Sequence, residues 1–216
     1  MRLTKLEHSC VRIDADGGTV VIDPGSFGDP PAALAGAGAV LITHEHPDHL
    51  DVPALLDALR ADPALRAWAP ARVAAQLAER GDQVSAVGPG EAFEVAGLPV
   101  RTVGGQHAMI HISMPVVANI GYLIGNSGES LYHPGDALLV PPEPVDTALI
   151  PIGAPWSNVG QVIDFAVGLR ARRAHQIHEG VLSAAGLAIA EGHVGRIAGE
   201  HGTEFEHLDV GRSIER

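Results

Sequence analysis

The sequence predicts an α/β sandwich, and three observations carry that prediction. Residues 2–8, 11–14 and 19–23 read as short strands, with Asp16-Gly17-Gly18 as the hairpin turn between the second and third. Beyond them, apolar strand-like runs alternate with stretches of helical periodicity, the pattern of layered α/β proteins. The 26 glycines and 16 prolines, beside an aromatic content of only 4%, favour many tight turns and a core of Ala, Val, Leu and Ile.

The elements follow in order. Residues 28–38 read as loop or a short, poor helix. Residues 39–42, Ala-Val-Leu-Ile, have the length of a buried strand. Asp51 is placed to cap a helix with Pro53 in its first turn, running to about residue 60 with Leu55, Leu56 and Leu59 on one face. Residues 66–69 form the next strand, and 72–80 a helix stopped by Gly81. Residues 84–87, 92–95 and 98–103 are strands joined by Gly/Pro turns. Residues 119–124 and 130–133 make a hairpin around Asn126-Ser127-Gly128. Strands at 147–151 and 173–177 flank a helix at 159–169; a last helix runs from 183 to about 199, and the tail, 204–216, returns as a surface strand.

Length and charge bound the function. A chain of 216 residues suits one domain. A net charge of -12, with Lys5 the only lysine and no basic cluster beyond Arg170, Arg172 and Arg173, argues against a nucleic-acid partner. The single cysteine, Cys10, excludes an internal disulfide and reads as a small core residue. No apolar run reaches the ~18 residues of a membrane span. No signal-peptide pattern opens the chain. A cytoplasmic protein without membrane contacts is the expectation.

The chemistry concentrates at Thr43-His44-Glu45-His46-Pro47-Asp48-His49, directly after the strand at 39–42. In an extended segment His44 and His46 project to the same side, and Pro47 keeps His46 out of a helix. Imidazoles and a carboxylate crowded on one loop form a nest for a divalent cation. Further histidines and aspartates stand at the ends of later strands. Gly104-Gly105-Gln106 precedes His107, His133-Pro134-Gly135 precedes Asp136, and His178 follows the strand at 173–177.

The run His44-x-His46-x-Asp48-His49 resembles the signature of the metallo-β-lactamase superfamily. Glu7-His8-Ser9-Cys10, Ile22-Asp23-Pro24 and His133-Pro134-Gly135-Asp136 narrow the likeness to small hydrolases related to ascorbate-phosphate lactonase. The resemblance implies a four-layer αββα sandwich carrying two divalent metal ions. His44, His46 and His107 would hold one; Asp48, His49 and His178 the other; and Asp136 would bridge them. Zinc suits the histidine-rich set, with manganese, nickel and iron as alternatives. It further implies a dimetal-activated water attacking an ester, lactone or phosphoester of a small molecule, with anionic substrates admissible, and Asp48 also taking part in proton transfer. A homo-oligomer is expected from resemblance only. The alternatives are a phosphodiesterase or nuclease of the same fold and a non-catalytic metal-binding module. His46 stands where diiron redox relatives carry a glutamate. His111 rivals His107. His8 either faces the site or bonds structurally, Asp23 either supports the metal loop or ends a turn, and Trp156 is either a pocket wall or core. His133 is expected to line the pocket, while His193, His201 and His207 are expected to be exposed or structural.

Overall fold

The computed structural model describes residues 1–215. In chain order the elements are β1 (Arg2–Lys5), β2 (Val11–Ala15), β3 (Gly18–Ile22), α1 (Pro30–Leu34), β4 (Ala39–Leu41), α2 (Val52–Ala61), β5 (Arg66–Ala69), α3 (Ala71–Gln76), β6 (Val84–Ala86), β7 (Ala92–Val95), β8 (Leu98–Gly104), β9 (Ile120–Ile124), β10 (Leu131–His133), β11 (Thr147–Pro151), α4 (Val159–Leu169), β12 (Arg173–Ile177), α5 (Ala184–Glu200), β13 (Glu204–Phe205) and β14 (Ser213–Glu215). They build two mixed sheets, ordered β14-β1-β2-β3-β4-β5-β6 and β13-β12-β11-β10-β9-β8-β7.

Period-2 side-chain alternation assembles the layers. In β3, Val20 and Ile22 join Leu3, Ile13 and Leu41 against Tyr122, Ile124, Leu149 and Ile177 of the second sheet, forming the core between the sheets. Val21 points the other way, with Val40 and Ile42, onto Leu55 and Leu59 of α2 and Val73 of α3. On the far side, Ala148, Ile150 and Ala174 pack against Phe165 and Leu169 of α4 and Val194 of α5. The order is therefore helix, sheet, sheet, helix, the αββα sandwich expected.

Local chemistry sets most boundaries. Asp51 caps α2 by accepting from the Ala54 N–H at 2.9 Å. Asn158 and Gln161 form a capping box on α4. Several expected spans are corrected. The first strand ends at Lys5, and the chain then turns back, with the Cys10 N–H donating to the Glu7 carbonyl at 3.0 Å and His8 left-handed at φ 55°. The helix expected over 72–80 divides into α3 and a 3-10 turn at Ala78–Arg80. The tail is not one strand: β13 pairs with β12 and β14 with β1, in different sheets. Arg216 lies outside the described residues.

One edge of the sandwich collects the strand ends that matter. His8 follows β1, Asp23 follows β3, the His44–His49 loop follows β4, His107 follows β8, Asp136 follows β10 and His178 follows β12. The sheets are tied there by the Tyr122 hydroxyl, which donates to the Ile42 carbonyl at 2.8 Å, and by the Ile120 N–H, which donates to Thr43 O at 2.9 Å.

Candidate metal centre

The seven residues named from the sequence converge at this edge. His44, His46, His107 and Asp136 present ligand atoms within 4.8 Å of one another, and so do Asp48, His49 and His178, joined there by His8. Asp136 reaches both groups: its Oδ2 lies 3.2 Å from His107 Nε2 and 3.2 Å from His178 Nε2, and its Oδ1 lies 3.0 Å from His49 Nε2. Gly135 is required to put it there. Its φ is +61°, and an added Cβ would lie 2.2 Å from Asn119 Oδ1 and 2.7 Å from Thr43 Cβ. The Asp136 N–H donates to Asn119 Oδ1 at 2.9 Å, completing the support.

The hydrogen bonds on the far side of each ring decide which nitrogen faces the centre. His49 Nδ1–H donates to Asp23 Oδ2 at 2.7 Å, His178 Nδ1–H to the Gly153 carbonyl at 2.8 Å, and His107 Nδ1–H to the Ala108 carbonyl at 2.5 Å. The Thr43 hydroxyl commits its proton to Asp23 Oδ2 at 2.6 Å, so it accepts from His44 Nδ1–H at 2.9 Å. In all four rings the Nε2 lone pair is thereby turned inward. Asp23, fully buried and left-handed at φ 50°, also accepts from the Thr43 N–H at 2.8 Å. It braces the His44–His49 loop and is no ordinary turn aspartate.

His8 has the opposite wiring. The Gly180 N–H donates to its Nδ1 at 3.2 Å, so the neutral ring carries its proton on Nε2 and donates to Asp48 Oδ2 at 3.1 Å. His8 therefore holds Asp48 and offers no lone pair toward the centre. Burial alone would raise the Asp48 carboxyl, but the His8 hydrogen bond and neighbouring His49 outweigh it and hold the group down at about 2. Burial opposes ionisation of Asp136 too, yet His49, His107 and His178 keep its carboxyl well below the usual range. For His44, burial and then His49 push the imidazolium well below its ordinary value.

Do these residues fit a pair of cations? His49 Nε2, His178 Nε2 and Asp136 Oδ1 are all buried without a hydrogen-bond partner, and all face the same small space. Unpartnered acceptors crowded in a buried site are costly unless a cation satisfies them. The nitrogen and carboxylate donor set suits a divalent metal, so the residues fit.

The remaining candidates sort themselves. His111 bonds Ser113 Oγ at 2.7 Å on an exposed loop and belongs to neither group. His133 does not line the cleft, as expected of it, but is a fully buried latch: Nε2–H donates to the Ser9 carbonyl at 2.9 Å, and Nδ1 accepts from the Gly135 N–H at 3.1 Å. His193, His201 and His207 are exposed. Cys10 is buried in the helix-side core, and burial pushes its thiol up. Trp156 stands at the lip and donates its indole N–H to Asp136 Oδ2 at 2.9 Å. Lys5 gave no sequence signal at all. Its ammonium is 1% exposed and donates to the carbonyls of Leu6 and His8 and to Glu179 Oε1 at 2.6 Å, joining the loop of His8 to the turn beside His178. Its chemistry comes from a partner 174 positions away. His178 and the supporting residues His8 and Asp23 have positive φ, strain that the surrounding hydrogen bonds hold in place.

A cleft of about 390 Å³ opens above the two groups, walled by Phe27, Pro47, Ile110, Pro155, Trp156 and Val181. Among the described residues no helix is long and apolar enough to cross a membrane.

The chain is 39% identical over 210 residues to Protein Rv0786c of Mycobacterium tuberculosis, covering 96% of each. It is 32% identical over 170 residues to UPF0173 metal-dependent hydrolase MK1542 of Methanopyrus kandleri, covering 71% of this chain and 73% of that one. Its fold matches that of Igni18, a novel metallo hydrolase from the archaeon Ignicoccus hospitalis, with a TM-score of 0.74 at 19% identity over 99% of this chain and 97% of the other. The beta-lactamase superfamily domain matches residues 2–178, from β1 to the last of the seven residues, and the protein belongs to that superfamily.

Proposed function

We propose that this protein is a metal-dependent hydrolase that uses water to cleave an ester, lactone or phosphoester bond of a small molecule. The observation that carries this reading is the inward-facing set of buried, unpartnered atoms on His49, His178 and Asp136, reached from both side-chain groups. His44, His46 and His107 would hold one divalent cation, Asp48, His49 and His178 a second, and Asp136 would contact both; zinc is the metal the donor set favours. When bound, such a pair supplies Lewis acidity toward the substrate oxygen and brings a water toward deprotonation near neutral pH.

The chain's own residues do the rest. Asp48 is ionised at neutral pH and is the carboxylate of the set that reaches the cleft, its side chain 19% exposed against 3% for Asp136. It is placed to receive a proton from the attacking water and pass it on to solvent. His8 fixes the Asp48 carboxylate through Oδ2. Trp156 shields Asp136 from water on the cleft side while satisfying one of its lone pairs. No serine or cysteine nucleophile is required.

The test is hydrolysis of a panel of carboxylic esters, lactones, phosphomonoesters and phosphodiesters, with and without prior chelation. Turnover that is lost on chelation and restored by a divalent cation is expected. No turnover of any member by metal-loaded protein would overturn the reading.

A further inference from the structure

The walls of the cleft carry information about the substrate that the metal centre does not. Phe27, Ile110 and Val181 are large apolar side chains 51%, 37% and 46% exposed, and all three line the opening above Asp48 and Asp136. Pro155 and Trp156 close the side between them. The loop that carries Ile110 also exposes Met109, Ile112, Met114 and Val116. An apolar surface of this kind around a small set of convergent polar groups marks a ligand groove.

The polar inventory points the same way. None of the residues lining the cleft is lysine or arginine. The chain's one lysine is buried against Glu179 behind the site. The indole N–H at the lip is already committed to Asp136 Oδ2. Beyond the centre itself, a charged group on the substrate would meet no lysine or arginine side chain from these walls, and it would lie beside the partly exposed Asp48 carboxylate.

Resting on the hydrolase reading above, we propose that the substrate is an uncharged carboxylic ester or lactone bearing an apolar chain, and that Phe27, Ile110, Trp156 and Val181 bind that chain. The reacting carbonyl sits over the groups of His44 and His49, and the chain runs outward along the loop from Ile110. This narrows the anionic small molecule admitted from the sequence: negative charge develops at the reacting centre and has no place further out. Removing one methylene from water increases binding by about fourfold at full burial. Walls as exposed as Phe27 and Val181 give part of that, so about two- to fourfold per methylene is expected.

The experiment measures kcat/KM of the metal-loaded protein for p-nitrophenyl acetate, butyrate, hexanoate and octanoate, and for an ester of similar length ending in a carboxylate. In parallel, calorimetry follows binding of straight-chain 2-alkanones, which keep the carbonyl and chain but lack a leaving group. Specificity and ketone affinity should both rise with chain length, the carboxylate-ended ester should lose at least tenfold to its neutral counterpart, and Ile110→Asp and Val181→Asp should flatten both slopes at unchanged metal content. Cleavage with no dependence on chain length, or a preference for the carboxylate-ended ester, overturns this proposal and leaves the hydrolase reading standing. Chain-length-dependent ketone binding with no cleavage of any carboxylic ester or lactone overturns this proposal; if the phosphoesters of the panel above are not cleaved either, the hydrolase reading falls with it.

Discussion

Asp23→Asn changes the wiring of the centre while leaving all seven candidate ligands in place. Asp23 Oδ1 accepts from the Thr43 N–H at 2.8 Å, and Oδ2 accepts from both the Thr43 hydroxyl at 2.6 Å and His49 Nδ1–H at 2.7 Å. In the variant the amide oxygen must stay on the backbone N–H, which can only donate. The amide NH₂ then faces two groups that were donors. Thr43 can turn its hydroxyl and still accept from His44. His49 cannot adapt without moving its proton to Nε2, and that removes the lone pair aimed at the centre. Loss of such a partner costs about 10–100-fold in metal affinity, or about 1.4–2.8 kcal/mol. The loss should fall mainly on the cation held by Asp48, His49 and His178. Competition against a chromophoric chelator, with the two affinities resolved by titration, measures it. Equal weakening at both positions, or two wild-type affinities, would refute the tautomer argument.

Other expectations follow from the same contacts. His8→Ala should keep two cations per chain with affinity at one reduced by about tenfold, since His8 only holds Asp48; a fall to one cation by metal analysis would make His8 a ligand. Lys5→Met strands Glu179 and the Leu6 and His8 carbonyls, so urea denaturation should show a loss of about 3–5 kcal/mol; a stability unchanged within error would mean the ion pair is dispensable. Cys10→Ser should leave kcat within a fewfold, with a stability loss of about 1–3 kcal/mol for the buried hydroxyl; collapse of activity in folded protein would give the thiol a chemical role.

What the sequence made legible follows from the range of the physics involved. The His44–His49 loop announces itself because its ligands are neighbours in the chain and follow an apolar strand. His107, Asp136 and His178 were legible one step less directly, each as a histidine or aspartate at the end of a strand. Three of the supporting residues could not be settled that way. Asp23 looks like a turn residue until β3 and β4 pair and bring Thr43 and His49 to it. His8 shows its orientation only once Gly180, 172 positions on, donates to its ring. His133 shares a strand end with Asp136, yet it turns back toward Ser9, 124 positions earlier, rather than toward the cleft. The tail was misread because its two short strands complete different sheets, a division that local pattern does not encode.

The account stands most directly on a count of bound metal. Purified protein, analysed for divalent cations after gel filtration, should carry two per chain, and His46→Ala and Asp136→Ala should lose metal together with turnover. Folded wild-type protein that takes up no stoichiometric divalent metal, or an Asp136→Ala variant that keeps both cations and its activity, would contradict it.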